Sequence, residues 1–480
     1  MLTRSTDIPL YVDFDRTLCK TDSLYECFVA VLKARPLSLL GIFPRLMSSR
    51  AAFKAALWRL AADIVDISHF PREPTVLNLV AQARHDGRRV ALVSAADAEM
   101  LRSDPSLAAI FDEIIGSDGS TNLKGNTKAA ALKERSPYGF EYVGDSSADI
   151  PVFEAAQRGY GVGLSSSTAG ALAARGISVE QLVPPSDCVR ALIKSFRLHQ
   201  WFKNVLIFIP PALTVGSLGI NDIVGVTIGF FLMGVLASGT YLVNDLFDLQ
   251  ADRRHPRKAK RPLASGRLPI SWALVAAPAM ILFALVGGYL LSPAFAGTLG
   301  LYVVLTLGYS FRLKRTALLD VLVIGLLFTL RVVAGMALIS APSSQWLLIF
   351  SVFFFTGLAL MKRDAEIALR VGAQQQALQG RGYNVDDRFF IQVAGIATSI
   401  ASLVIFALFI VAIFENSRQY SSPYFLWAAY FLLAYWMLRL WFICFRGQMN
   451  DDPIEFAVKD PTSMGIFLGI GAVCVLAQLL

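Results

Sequence analysis

Tyr241-Leu-Val-Asn244-Asp245-Leu-Phe-Asp248-Leu-Gln-Ala-Asp252 closes an apolar run that begins near residue 222. On a helix, Asp245, Asp248 and Asp252 stand at i, i+3 and i+7, so the three carboxylates share one face. Three like charges there repel unless cations neutralise them. That implies a divalent metal and, through it, a pyrophosphate. The basic stretch Arg253-Arg254-His255-Pro256-Arg257-Lys258-Ala259-Lys260-Arg261-Pro262 follows at once. The bland alternative is a solvated charge cluster beside a membrane span.

Working outward from this stretch, the chain of 480 residues divides in character. Up to about Asp187 it has the charge density of a soluble protein, and beyond Asn204 it is a succession of apolar runs. That half accounts for the 55% hydrophobic content and marks a membrane domain. Nine apolar segments are predicted, near 205–218, 222–243, 272–291, 296–311, 318–340, 346–361, 391–414, 424–445 and 463–480. With the N-terminus inside, the loops after the second, fourth, sixth and eighth spans carry the basic residues. These are Arg253 to Arg267; Arg312, Lys314 and Arg315; Lys362, Arg363, Arg370, Arg381 and Arg388; and Arg446 and Lys459. The opposite loops around Ser217, Ser292 and Pro342 have none, and the loop near 416 has only Arg418. The positive-inside rule then places the acidic motif in the cytosol and the ninth span's end outside.

The opening residues Met1–Asp7 are polar, so no signal peptide is expected and the first half should stay cytosolic. The net charge of +8 sits beside spans, which suits anionic lipid or phosphate substrates and not nucleic acid. Five scattered cysteines make no C-x-x-C pair and read as reduced. Val183-Pro-Pro-Ser-Asp187 reads as a linker, and Cys188–Asn204 as an interfacial helix with alternating apolar and basic residues.

The first half carries a second constellation. The strand Leu10-Tyr-Val-Asp13 runs into Asp13-Phe14-Asp15, where one carboxylate can attack phosphorus and the next can shuttle a proton. Further on, the strand ending at Val93 is followed by Ser94, a hydroxyl suited to hold a phosphoryl oxygen. Lys128 supplies a cation, and Gly144-Asp145-Ser-Ser-Ala-Asp149 offers carboxylates for Mg²⁺. These residues resemble, in order, the four motifs of the haloacid dehalogenase-like phosphatases over roughly residues 8–180. The resemblance implies a doubly wound α/β sheet, with a helical cap from about Asp22 to His85. It also implies Asp13 as nucleophile, Asp15 as acid/base, Ser94 and Lys128 as phosphoryl holders, and Asp13, Asp145 and Asp149 around Mg²⁺.

The second half resembles the UbiA superfamily of intramembrane prenyltransferases. The likeness lies in N-D-x-x-D-x-x-x-D followed by H-P-x-K-x-x-R-P-x-A-S-G, and covers roughly residues 195–480. Within that superfamily the chain is most similar to the polyprenyl-phosphate phosphoribosyltransferases. Gln200-Trp-Phe-Lys203-Asn204, Tyr309-Ser-Phe-Arg-Leu-Lys314, Leu330-Arg331-Val332, Met361-Lys362-Arg363-Asp364 and Asp452-Pro-Ile-Glu455 carry that likeness. The second D-x-x-x-D of the aromatic prenyltransferases is missing from the loop that holds Lys362, Arg363, Asp364, Glu366, Asp386 and Asp387.

The two resemblances together imply a two-domain chain. Residues 1–183 would be the phosphatase, 184–204 a linker and interfacial helix, and 205–480 an all-α domain of about nine membrane helices. Asp245, Asp248 and Asp252 would hold Mg²⁺ and carry the transfer. Asn244, Lys203, Arg254, Lys258, Arg261, Lys314, Arg331, Lys362 and Arg363 would bind substrate. Arg331 falls inside a span, where a charge is costly and marks function by default; a structural pairing with a neighbouring Asp is the alternative. Asp320, near the same span's start, would either assist Mg²⁺ or be an ordinary helix-end carboxylate. The expected reaction transfers phosphoribose from phosphoribosyl pyrophosphate to a polyprenyl phosphate in the cytoplasmic membrane. The fused phosphatase would then trim the product. The rival is alkylation of an aromatic acceptor by a polyprenyl diphosphate, and a non-catalytic lipid-phosphate transporter is a third reading.

Overall fold

The computed structural model describes residues 8–214, 218–339, 344–372, 382–416, 420–449 and 452–479. Met1–Asp7, Ser217, Pro342, Arg381 and Arg418, used above for orientation, lie outside the described residues. The chain forms two compact units: Met1–Phe196 with Tyr241–Ala277, and Arg197–Thr240 with Pro278–Leu480.

In the first unit, β1 (Leu10–Val12) is followed by α1 (Ser23–Ala34), α2 (Pro36–Ser48), α3 (Arg50–Ala61) and α4 (Pro74–His85). Next come β2 (Val90–Asp97), α5 (Ala98–Arg102), α6 (Pro105–Ile110), β3 (Glu113–Ser117) and α7 (Asn126–Arg135). The series ends with β4 (Glu141–Gly144), α8 (Ile150–Ala155), β5 (Arg158–Val162), α9 (Ser166–Ala173), β6 (Val179–Val183) and α10 (Cys188–Ser195). The strands pair in parallel in the order β3-β2-β1-β4-β5-β6. The order reverses at β1, which therefore opens a crevice at its carboxyl end beside β4. Leu10 and Val12 are fully buried, as expected of a central parallel strand covered on both faces.

Local chemistry starts each helix. Asp22 caps α1 by accepting from the amides of Leu24 and Tyr25, Ser49 caps α3, and prolines open α2 and α4. The expected interfacial helix Cys188–Asn204 is not continuous. It stops at Ser195, and Arg197 adopts a left-handed φ of 51°, which cannot continue a right-handed helix.

The second unit begins with a 3₁₀ run, Leu198–Phe208, and α11 (Ile209–Ala212). The helices that follow in the chain are α12 (Ile220–Phe247), α13 (Leu249–Arg254), α14 (Ile270–Leu291), α15 (Pro293–Phe311) and α16 (Leu319–Met336). The last are α17 (Gln345–Gly372), α18 (Arg388–Asn416), α19 (Phe425–Phe445), α20 (Pro453–Lys459) and α21 (Pro461–Leu479). Among the described residues, eight helices are long and apolar enough to cross a membrane: α12, α14 to α19 and α21. The chain is a multi-pass membrane protein.

The expected span at 205–218 is the one not met by a long α-helix, because Pro210 and Pro211 interrupt it. It is extended instead. At about 2.0 Å per 3₁₀ residue and 1.5 Å per α residue, 198–212 rises roughly 28 Å, close to a hydrocarbon thickness. Gly335 on α16 allows this run to pack closely, since a Cβ there would stand 2.1 Å from the Ile207 carbonyl oxygen.

Candidate active sites

The crevice at β1 gathers the phosphatase-like residues. Asp13 follows β1, and the chain turns sharply after Asp15 through Arg16, whose φ of 58° is left-handed. The Leu18 amide donates to the Asp13 carbonyl at 3.2 Å and the Cys19 amide to the Phe14 carbonyl at 2.8 Å, fixing the loop. Lys128, in the first turn of α7, donates to Asp13 Oδ2 at 2.9 Å and to the Tyr142 hydroxyl at 3.0 Å, and lies 3.4 Å from Asp149 Oδ1. Asp149 also accepts from the Tyr142 hydroxyl at 2.8 Å and from Ser146 Oγ at 3.0 Å. Gly144 makes room for it: a Cβ there would stand 2.6 Å from the Tyr142 ring and 3.1 Å from Asp149 Oδ2.

Ser94 is buried within β2, not at its end. Regular pairing with β3 is lost between Val93 and Asp97, so Ser94 falls in the irregular stretch, where its Oγ accepts from the Ala96 amide. Asp13, Asp145 and Asp149 bring one ligand oxygen each within 4.8 Å of the others, the only such trio among the described residues. Three oxygen donors that close suit a hard divalent cation.

Burial raises the pKa of Asp13 even though Lys128 opposes it, and burial with Asp149 raises that of Asp145. Burial would lower the Lys128 ammonium, but the charges of Asp13 and Asp149 raise it above the usual lysine value. Asp15 accepts from the Ser23 amide and hydroxyl at 2.8 and 3.0 Å. Burial, then the charge of Asp22, pushes it up to about 7, so it keeps a proton near neutrality as a general acid must.

The cleft over this site has a volume of about 440 Å³. Sequence reasoning missed Lys54, which reaches in from α3 and donates to the Ala95 carbonyl at 2.7 Å and Asn122 Oδ1 at 3.1 Å. A single lysine in an apolar helix carries no motif that would have flagged it.

The aspartate motif, also in the first unit, departs from one straight face. Helix α12 ends at Phe247, and Asp248 (φ −99°, ψ 9°) stands between it and α13. Asp245 and Asp252 still converge: Arg261 Nη1 donates to Asp245 at 3.1 Å and to Asp252 at 2.6 Å. Asp248 turns to Lys33 of α1, 3.4 Å away, whose ammonium also donates to the Phe247 carbonyl at 2.5 Å. The positive charge that these carboxylates require is here supplied by Arg261 and Lys33. Burial raises the pKa of Asp252, and Arg261 moderates it. Arg253 pairs with Glu26 of α1, both buried, and lies over the Phe70 ring at 5.2 Å. Arg254 is 3.8 Å from Asp66. Lys258 opens a short 3₁₀ turn whose residues are not buried. Asn244 accepts the Asp248 amide at its carbonyl, 2.9 Å away.

The remaining expected substrate-binding residues lie in the second unit. Arg331 is buried within α16 and has no carboxylate partner among the described residues. It donates to Asn204 Oδ1 at 3.0 Å, the Leu327 carbonyl at 2.6 Å and the Tyr302 hydroxyl at 3.0 Å. The amide nitrogen of Asn204 is buried without a partner. Lys203 and Lys362 share one carboxylate, Asp452, at 3.3 and 2.9 Å. Arg363 is enclosed by Asp320 at 2.7 Å, by Glu366, and by the Tyr309 hydroxyl at 3.3 Å. Asp320 also accepts from the Tyr383 hydroxyl. Lys314 lies in the short 3₁₀ turn Leu313–Arg315. Asp452 and Asn204 sit in segments quoted above for their resemblance, yet nothing in the sequence paired them with distant lysines or Arg331.

Residues 205–458 match the UbiA prenyltransferase family, and residues 10–154 match the haloacid dehalogenase-like hydrolases. The chain is 39% identical to protein y4nM of Sinorhizobium fredii, over 98% of its own length and 91% of that relative's. It is 37% identical to the decaprenyl-phosphate phosphoribosyltransferase of Mycolicibacterium smegmatis, over 40% of this chain and 62% of that one. The solved structure of a UbiA homologue from Archaeoglobus fulgidus, bound to GPP and Mg²⁺, aligns at 15% identity with a TM-score of 0.45. That alignment covers 59% of this chain and 99% of that one. The chain therefore belongs to the UbiA prenyltransferase family and carries a haloacid dehalogenase-like hydrolase domain ahead of its membrane helices.

Proposed function

We propose that the chain moves a phosphoribosyl group from phosphoribosyl pyrophosphate to a polyprenyl phosphate, and that its hydrolase domain removes the phosphate left on the sugar. The observation that carries this reading is the likeness to a decaprenyl-phosphate phosphoribosyltransferase. The charge arrangement supports it. Among the described residues Arg331 has only neutral partners and the Asn204 amide nitrogen has none, while two lysines share the carboxylate of Asp452. Such donor-rich surroundings suit phosphate groups better than an aromatic acceptor. In this reading residues 1–183 are the phosphatase, 184–204 the connection and 205–480 the transferase. The protein sits in the cytoplasmic membrane with both sites on its cytosolic side.

At the transferase site, Asp245 and Asp252, with Asp248 once it is released from Lys33, would hold Mg²⁺, which would supply positive charge to the pyrophosphate leaving group. In the first unit Arg261 keeps Asp245 and Asp252 together, with Asn244, Arg254 and Lys258 proposed to bind substrate; in the second unit Lys314, Lys362 and Arg363 are proposed as substrate-binding residues. In the phosphatase, Asp13 attacks phosphorus as the bond to the sugar oxygen breaks, and Asp15 gives its proton to that oxygen. Asp15 then takes a proton from the water that frees phosphate from Asp13. Ser94 and Lys128 hold the phosphoryl oxygens, and Asp13, Asp145 and Asp149 would hold a second Mg²⁺.

The test is label transfer in nanodiscs, with ribose-labelled phosphoribosyl pyrophosphate, polyprenyl phosphate and Mg²⁺. Label should enter the lipid phase and be lost with chelator or with Asp245→Ala. No label in lipid from folded protein would overturn the reading and direct the same assay to a prenyl diphosphate and an aromatic acceptor.

A further inference from the structure

Helix α2 has an unusual surface for a soluble domain. Its sequence is Pro36-Leu-Ser-Leu-Leu-Gly-Ile-Phe-Pro-Arg-Leu-Met-Ser48, with Arg45 its single charge. Leu39 and Ile42 face the core, which meets the ordinary need of a surface helix for one apolar stripe. Yet Leu37 is 80% exposed, Leu40 68% and Met47 94%, and Phe43 and Pro44 are exposed beside them. At about 100° per residue these five fall within an arc of roughly 120°, adjoining the buried arc. The helix is thus apolar toward the core and again toward the outside, a pattern that calls for a non-aqueous neighbour.

Two further features choose that neighbour. Arg45 and Arg50 are exposed at this end of the helix and have no carboxylate partner among the described residues, which complements an anionic lipid surface. The same chain carries eight membrane helices, so a bilayer is always at high local concentration. The apolar surface also continues inward. Leu46 of α2 lines the phosphatase cleft with Phe53, Leu57 and Trp58 of α3, and Phe43 stacks on Phe53 with ring centroids 6.3 Å apart. Asp13, Lys128 and the other polar residues of the phosphatase site line the same cleft.

We propose that α2 seats on an anionic bilayer and opens the phosphatase cleft to a phosphomonoester whose other end is a lipid. The hydrocarbon of the substrate lies along Leu46, Phe53, Leu57 and Trp58, and its phosphate reaches Asp13. The seating on lipid stands by itself, whereas the polyprenyl identity of the substrate rests on the function proposed above.

Full-length protein in nanodiscs of phosphatidylcholine and phosphatidylglycerol tests both parts. A nitroxide at Met47→Cys, with the partly exposed Cys188 and Cys474 changed to Ser, should collide with oxygen several-fold more than with an aqueous Ni²⁺ chelate. Its ratio should match a label at Leu438→Cys on α19. A ratio matching a label at the exposed Glu134→Cys would overturn the proposal. In parallel, L40E/M47E should hydrolyse p-nitrophenyl phosphate within twofold of the native rate. It should release phosphate from a polyprenyl-linked ribose phosphate at least tenfold more slowly. Equal rates on the lipid substrate would overturn the gate. A lipid-facing label in a protein that leaves the polyprenyl substrate untouched would overturn the proposed product and leave the seating of α2 supported.

Discussion

Asp320 and Arg363 illustrate what a single pair decides inside a membrane protein. Both side chains are fully buried, 2.7 Å apart, with Tyr383, Glu366 and Tyr309 completing the network. Removing Asp320 leaves the buried Arg363 with Glu366 as its one carboxylate partner among the described residues, which costs far more than the intact pair contributes. Asp320→Ala should therefore lower stability by about 3–5 kcal/mol, read as an early thermal transition in detergent. Asp320→Asn, which keeps a hydrogen-bond acceptor, should lose less. A variant as stable as the native chain would show that Glu366 alone suffices to balance Arg363. Arg331 differs in kind. Its partners are neutral, so the pairing with a neighbouring Asp raised as the alternative for it is not what the described residues form.

At the scale of the element, backbone contact and helix ends matter most. Gly335 lets α16 meet the 3₁₀ run, and a methyl there would press on the Ile207 backbone, which cannot rotate away. Gly335→Ala should cost about 1–3 kcal/mol. Gly297→Ala on α15, where nothing lies within 4 Å of the new methyl, should be neutral or stabilising by up to about 1 kcal/mol. Thermal unfolding of the two variants side by side checks the contrast.

Helix α1 carries a different burden. Its first residue, Ser23, holds Asp15, Glu26 in its first turn pairs with Arg253, and Lys33 in its last turn reaches the Phe247 carbonyl and Asp248. Under the proposed function, Lys33→Met should slow transfer to lipid by roughly 3- to 10-fold, about 1 kcal/mol for a partly exposed contact. Hydrolysis of p-nitrophenyl phosphate should stay within twofold. Equal loss of both activities would mean that α1 was simply unfolded.

For the whole molecule, under the proposed function, the fusion places the product of the transferase at high effective concentration for the phosphatase. Native protein should yield dephosphorylated lipid-linked ribose, and Asp13→Asn should stop at the phosphorylated form with transfer intact. Unlabelled phosphorylated lipid, added to native protein during turnover, should dilute the label in the final product little. Full dilution would mean that the intermediate leaves before it is hydrolysed.

Sequence alone reached the two families, the parallel α/β sheet and the apolar helices. These are legible because hydrophobic period and motif spacing are local properties, and both families write their chemistry in short runs such as Asp13-Phe-Asp15 and Asn244-Asp245. Tertiary structure decided the partners. Lys54, Lys33, Glu26 and Asp452 lie far in sequence from the residues they meet, and no periodicity encodes such a meeting. It decided that the run before α12 is 3₁₀ as far as Phe208 and lies close against Gly335, whereas the break at Pro210 and Pro211 is already written in the sequence. It also decided that Asp248 turns from Asp245 and Asp252, since the end of α12 at Phe247 depends on a lysine more than two hundred residues away in the chain.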